Sequence, residues 1–77
     1  MNEKVLSISD IINSDIAVST DDGEKVYQQI FTNLKERNPI IIDFSGITLI
    51  TTAFLNAAIG QLYTSFSGDY LNNKLKL

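Results

Sequence analysis

Seventy-seven residues without a single histidine or cysteine exclude disulfides, thiolate and imidazole metal sites, and the Ser/His and Cys/His nucleophile pairs, so neither hydrolytic catalysis nor a bound metal or other cofactor is expected. A net charge of −3 with a pI near 4.5 excludes the general basic surface that nucleic acid or an anionic membrane requires. A hydrophobic content of 44% against 19% charged residues predicts one small folded domain over residues 1–77, and the lack of a long apolar run or a signal-like N-terminus predicts a cytoplasmic protein.

In chain order, "KVLSIS" (4–9) puts Leu6 and Ile8 on one face and reads as a short strand. "SDIINSD" carries Ile11 and Ile12 between polar residues and reads as a bend returning to the core rather than a helical turn capped by Ser9. Residues 17–19 follow as a short extended segment. "TDDGEKVYQQIFTNLKERNP" is the strongest helix signal and predicts a helix over 21–37. Asp21 would cap it with Glu24 three residues later in capping-box spacing, and both acids suit the positive end of the helix dipole. Tyr27, Ile30, Phe31 and Leu34 fall at i, i+3, i+4 and i+7 with Val26 beside them, which predicts the buried stripe. Lys35 and Arg37 complement the C-terminal dipole, and Pro39 disfavours continuation.

"PIIIDF" (39–44) is a β-branched apolar run ending in Asp43 and predicts a strand buried on both faces, central in a parallel sheet. Ser45 and Gly46 make the following turn, "ITLI" (47–50) runs along the edge of the core, and Thr51 or Thr52 caps a helix over 52–66. Phe54, Ala58, Leu62 and Phe66 share one stripe of that helix, and Leu55, Ile59 and Tyr63 form an adjoining one. Ala57, Ala58 and Gly60 would permit close approach to the sheet or to another protein, and packing is expected to justify Gly60, which costs about 1 kcal/mol relative to alanine in a helix interior. "SGDY" reads as a turn or helix exit, and "KLKL" (74–77) as a half-buried strand. A parallel strand normally has helices over both faces, so the expectation is that a C-terminal helix is missing or that a second chain covers the strand. The whole reads as a small α/β fold with a parallel central strand and two main helices.

None of the familiar ligand motifs is present. The acids at 21, 22 and 24 lack the alternating twelve-residue spacing of a calcium loop, and glycines 23, 46, 60 and 68 make neither a P-loop nor a GxGxxG turn. Tyr27, Tyr63 and Phe66 are spaced for core packing. Asp43 reads first as the carboxylate that receives the amides of the "SGI" turn, with a catalytic role and a magnesium or phospho-acceptor role as two lesser alternatives of similar weight.

The order of a strand, "DFSGITLI", two threonines and a wide apolar helix resembles the STAS domain of anti-sigma factor antagonists. It is more closely similar to a short STAS-like family of unknown function in bacteria and phage. "STDDGEKVYQQI", "PIIIDFSGITLITTAFLNAAIGQLY" and "GDYLNNKLKL" carry the likeness, over roughly residues 17–77. In antagonists of this fold a serine at the helix N-terminus is phosphorylated by a histidine-kinase-like ATPase, and the added charge blocks docking. On that pattern Ile50 matches the apolar position before the motif, Thr51 its aspartate and Thr52 the first small hydroxyl. Ala53 falls at the usual phosphoserine, and Phe54 and Asn56 stand in place of glycines. Alanine cannot be phosphorylated, so the resemblance implies the fold and a partner surface more strongly than the switch.

The expectation is therefore a non-catalytic regulatory domain. It would dock a kinase-like ATPase or a similar signalling protein through Ser45, Gly46, Thr51, Thr52, Ala53, an exposed Phe54 and Asn56. Thr52 is first a helix cap and, alternatively, a phosphorylation site. The competing expectation is a self-associating structural module that pairs as a homodimer through the edge at 74–77.

Overall fold

Ser7 decides where the first strand stops. In the computed structural model, which describes residues 3–76, strand β1 (Lys4–Ser7) gives way at once to helix α1 (Ile8–Ile12), because the Ser7 hydroxyl accepts a hydrogen bond from the Asp10 amide at 3.4 Å. The segment expected to be a bend is thus helical. Ile8 and Ile12, four residues apart, both face the core, and Asn13 closes the turn in the left-handed conformation at φ 56°.

Strand β2 (Ile16–Ala17) is followed by helix α2 (Thr20–Lys35). Its cap is Ser19, whose hydroxyl accepts from the Asp22 amide at 3.1 Å, so the helix starts one residue before the expected Asp21 cap. The buried stripe is Gly23, Val26, Ile30 and Leu34, while Tyr27 and Phe31 are only half-buried. The stripe is rotated toward Val26 relative to the expectation because α2 is covered from the Gly23 side by the later helices. At its other end the Arg37 amide donates to the Leu34 carbonyl and the Asn38 amide to the Asn33 carbonyl, both at 3.0 Å. That pair of bonds is a Schellman closure with Arg37, at φ 64°, in the position that usually takes glycine.

Strand β3 (Ile40–Asp43) lies between β1 and β5 (Leu75–Lys76), and all three run parallel, with Val5 beside Ile41 and Ser7 beside Asp43. The central parallel strand is as expected, but burial on both faces is not. Ile40 and Ile42 are buried, whereas Ile41 is half-buried and its neighbour Val5 is 61% exposed. The face that bears Ile40 and Ile42 belongs to the core, and the face that bears Val5 and Ile41 is only partly covered. "ITLI" contributes strand β4 (Leu49–Ile50), which pairs in parallel with β2 as a separate two-stranded ladder.

The long helix expected over 52–66 is interrupted. Helix α3 (Thr52–Leu55) passes into a π-helical turn (Asn56–Gly60) and resumes as α4 (Leu62–Ser65). The wide turn is closed by Gln61, whose side-chain amide donates to the Ala57 carbonyl at 2.8 Å and also to the Glu24 carboxylate of α2. Eight residues of regular α-helix would leave Phe54 and Leu62 roughly 80° apart, yet both are fully buried. The π turn brings the two onto one face. "SGDY" is not an exit but the start of helix α5 (Gly68–Lys74), capped by Ser67 on the Tyr70 amide at 3.1 Å and anchored by buried Leu71. Helix α5 delivers β5 to the free side of β3. Leu77, the last residue of the expected strand, lies outside the described residues.

The core is aliphatic, with Phe54 its one fully buried aromatic ring and no buried polar side chain among the described residues. No helix among them is long and apolar enough to cross a membrane.

Candidate functional site

The strands β1 and β3 finish at one end of the sheet, the end at which open parallel sheets most often carry their sites, and the segment from Asp43 to Asn56 leads away from it. Asp43 begins the turn by accepting from the Ser45 amide at 2.9 Å, and the Ile47 amide returns to the Phe44 carbonyl at 3.1 Å. Gly46, the third residue of that turn, has φ +85°, which suits glycine and marks a type II turn. The hydroxyl and amide of Ser45 beside the Asp43 carboxylate hold its pKa below the ordinary 3.8, against a small opposing effect of burial. The turn-forming role expected of Asp43 is the one the geometry displays.

Thr51 is consumed by structure. Its hydroxyl accepts from the Phe54 amide at 3.2 Å as the cap of α3 and donates to the Val18 carbonyl at 3.0 Å. Its amide donates to the Ala17 carbonyl at 3.1 Å. Thr48 repeats the device at the other end of β4, with its amide on the Asp15 carbonyl at 2.8 Å and its hydroxyl 3.3 Å from the Asp15 carboxylate. These two threonines fasten β4 to the 15–18 segment. The cap is therefore Thr51, and Thr52, the first helical residue, is exposed, its hydroxyl making no hydrogen bond to the described residues.

Of the residues expected to form a partner surface, Ser45, Gly46, Thr52, Ala53 and Asn56 are exposed and Thr51 is half-buried. Phe54 is a correction. It is 0% exposed and sits in the core, because α3 turns that side toward α2. The apolar surface lies nearby, on residues expected in the buried strand (Phe44), along the core edge (Ile47, Ile50) and in the second helix stripe (Leu55). Phe44, Ile47, Ile50 and Leu55 line a shallow open groove of about 380 Å³. Beside it stand Leu49, 53% exposed, and its ladder partner Ile16, 43% exposed. The available signal was "ITLI" itself, four residues too short to form a two-sided buried strand yet dense in large aliphatic groups.

A second concavity, of about 390 Å³, lies at the opposite end of α2, between Leu34, Lys35, Arg37, Phe66 and Tyr70. It is held by the Tyr70 hydroxyl on the Leu34 carbonyl at 2.8 Å and by the Phe66–Tyr70 ring stack. No group of three or more potential metal ligands is gathered anywhere among the described residues.

Comparison with known proteins gives one result. The family described as a STAS-like domain of unknown function (DUF4325) matches residues 22–77, a span that includes α2 after its first two residues, the whole sheet-end segment and β5. No curated protein and no solved structure matches the chain.

Proposed function

This chain belongs to the family of STAS-like domains of unknown function, and we propose that it is a non-catalytic docking module of bacterial regulation in the cytoplasm. It takes a protein partner into the groove at the end of the sheet. The observation that carries the reading is a coincidence of place. The Phe44, Ile47, Ile50 and Leu55 groove adjoins exposed Ser45, Gly46, Thr52, Ala53 and Asn56, the region that antagonists of this fold present to their partners. Large aliphatic groups left open to water on a small acidic domain are the ordinary mark of a contact surface. By the same likeness the partner is a histidine-kinase-like ATPase or a similar signalling protein. Thr52 is the residue at which phosphate would regulate docking, since Ala53 has no hydroxyl and Thr51 is committed to the cap.

Capture with the full chain as bait tests this. Recovery of a kinase-like or sigma-regulatory protein, reduced by Ile50→Arg and by Asn56→Arg or Thr52→Glu, is the expected result. Recovery that none of these substitutions alters would refute the docking surface, and an unmodified Thr52 after incubation with the captured kinase would refute the switch.

A second reading is supported by the sheet edges. The outer sides of β1 and β5 pair with no described strand, and Val5 is exposed beside one of them, so two copies could join edge to edge as a homodimer. Sedimentation velocity across a concentration range distinguishes the two, since the docking reading predicts a monomer in the absence of partner.

A further inference from the structure

We propose that the segment this groove accepts is an amphipathic helix whose apolar stripe is flanked by lysine or arginine; the inference rests on the docking reading and specifies its partner. It comes from how charge is divided between the two ends of the fold.

The six cationic residues stand at positions 4, 25, 35, 37, 74 and 76, so residues 5–24 and 38–73 contain no lysine or arginine. Lys4 opens β1, Lys35 and Arg37 close α2, and Lys74 and Lys76 bracket the start of β5. These five gather at the end where the strands begin. Lys25 alone belongs to the groove end, and it is paired with Asp22 at 3.6 Å. The groove end carries six of the nine acids, while Glu3 and Glu36 stand beside the cations of the other end and Asp69 lies in α5. Asp21, Asp22 and Glu24 open α2, Asp10 lies in α1, and two further carboxylates, Asp43 and Asp15, are hydrogen-bonded to residues that follow groove-lining positions in the chain. Asp43 directly precedes the wall residue Phe44 and holds the Ser45 amide at 2.9 Å, and Asp15 holds Thr48, which follows the wall residue Ile47.

An apolar groove with hydrogen-bonded carboxylates next to its lining in the chain, and with no unpaired cation at its end among the described residues, selects a cationic amphipathic segment. Potential of one sign steers the opposite charge to the site and penalises like charge on a wrong partner. A second copy docking groove to groove would set these acids against one another. An acidic or phosphate-rich partner meets the same repulsion, whereas a helix laying a leucine stripe into the groove places its flanking lysines over Asp15 and Asp43.

The test uses three synthetic helices of equal length and identical leucine stripe, with lysine, glutamine or glutamate on the polar face, titrated into the full-length chain by calorimetry. The lysine helix is expected to bind about tenfold more tightly than the glutamine helix, an advantage that shrinks at high salt, and the glutamate helix to bind most weakly. The Asp15→Asn/Asp43→Asn pair keeps the turn acceptors and removes the charges. It should abolish most of the lysine advantage while leaving the glutamine helix unchanged, and Asp69→Asn should do nothing. Ile50→Ser, or Leu49→Ser if the first variant is unfolded by circular dichroism, should weaken the lysine and glutamine helices alike. Equal binding of lysine and glutamine helices, both still weakened by Ile50→Ser, overturns the charge inference and leaves groove docking intact. Binding that ignores Ile50→Ser and Leu49→Ser, or no binding by any helix, overturns both. Concentration-dependent self-association abolished by either Arg37→Glu or Ile50→Ser would overturn the assignment of occupant in favour of a second copy docked head to tail.

Discussion

Replacing Gly23 with alanine puts a methyl group where no room exists. A Cβ built at Gly23 lies 2.6 Å from the Cβ of Ala57 and 2.8 Å from the Phe54 carbonyl oxygen, against an optimal carbon–carbon separation of about 3.5–4.0 Å. Neither neighbour can swing aside, one being the first side-chain atom of a rigid turn and the other backbone. The start of α2 and the π turn must therefore move apart by about 1 Å, loosening the contacts of Phe54 and Ala58 with the core. Overpacking of this kind costs up to about 3 kcal/mol, and the gain in helix propensity returns about 1 kcal/mol, leaving a net loss of about 2 kcal/mol. For a domain of this size that corresponds to a fall in Tm of roughly 8–16 °C. Urea denaturation followed by far-UV circular dichroism measures it, with tyrosine fluorescence as a second probe because the chain has three tyrosines and no tryptophan. Gly60→Ala is the control of opposite sign. Its added methyl meets only the Asn56 side chain at 3.5 Å, so it should stabilise by up to about 1 kcal/mol. The double variant Gly23→Ala/Ala57→Gly removes the shorter clash but not the one with the Phe54 carbonyl and should recover only part of the loss. A Gly23→Ala chain as stable as the parent would refute the close-packing argument.

Arg37→Gly should raise stability by about 1 kcal/mol, measured by the same denaturation, because it relieves a side chain held at φ 64°. Thr51→Ala should cost about 1–2 kcal/mol through loss of the Phe54 amide bond and the Val18 carbonyl bond, whereas Thr52→Ala should stay within about 0.5 kcal/mol. The depressed pKa of Asp43 makes its contribution to stability complete above the ordinary value of 3.8 and progressively lost as pH falls through the lower folded value. Asp43→Asn keeps an acceptor for the Ser45 amide and should flatten that part of the acid-side profile. An unchanged slope below pH 3.8 would refute the assignment.

What was legible in the sequence followed from strong local periodicity or from irreplaceable chemistry. Helix α2 and strand β3 are each specified by one dense pattern, and the Ser45–Gly46 turn by residues few other turns would use. The errors arose where tertiary contact decides. The rotation of the α2 stripe toward Val26 depends on Gly23 meeting Ala57, a contact across thirty-odd positions that no local spacing encodes. It is Gly23, not Gly60, that close packing requires. Phe54 was placed on the surface by alignment with a motif whose glycines it replaces, and a large aromatic at such a site is better explained by burial. The groove was hidden because "ITLI" has the composition of a core strand, and only its pairing with the two-residue β2 leaves Leu49 and Ile50 facing water. Ser7, Ser19 and Ser67 each cap a helix, whereas the expected caps are Asp21 and Thr51 or Thr52, with a Ser9 cap set behind a bend; the difference displaces one helix start and conceals two short helices.

The π turn at Asn56–Gly60 has a consequence for chain length. A wide turn holds one residue more than an α-helix needs to reach the same point, so it is an insertion already accommodated within the helix. Removing Gly60 would leave Phe54 and the residue now called Leu62 seven positions apart, about two α-helical turns, and both would still face the core. The same deletion in a regular helix such as α2 would swing everything after it by about 100°. The segment that borders the groove is therefore, among the described residues, the one helical part able to lose a residue without turning its core side outward.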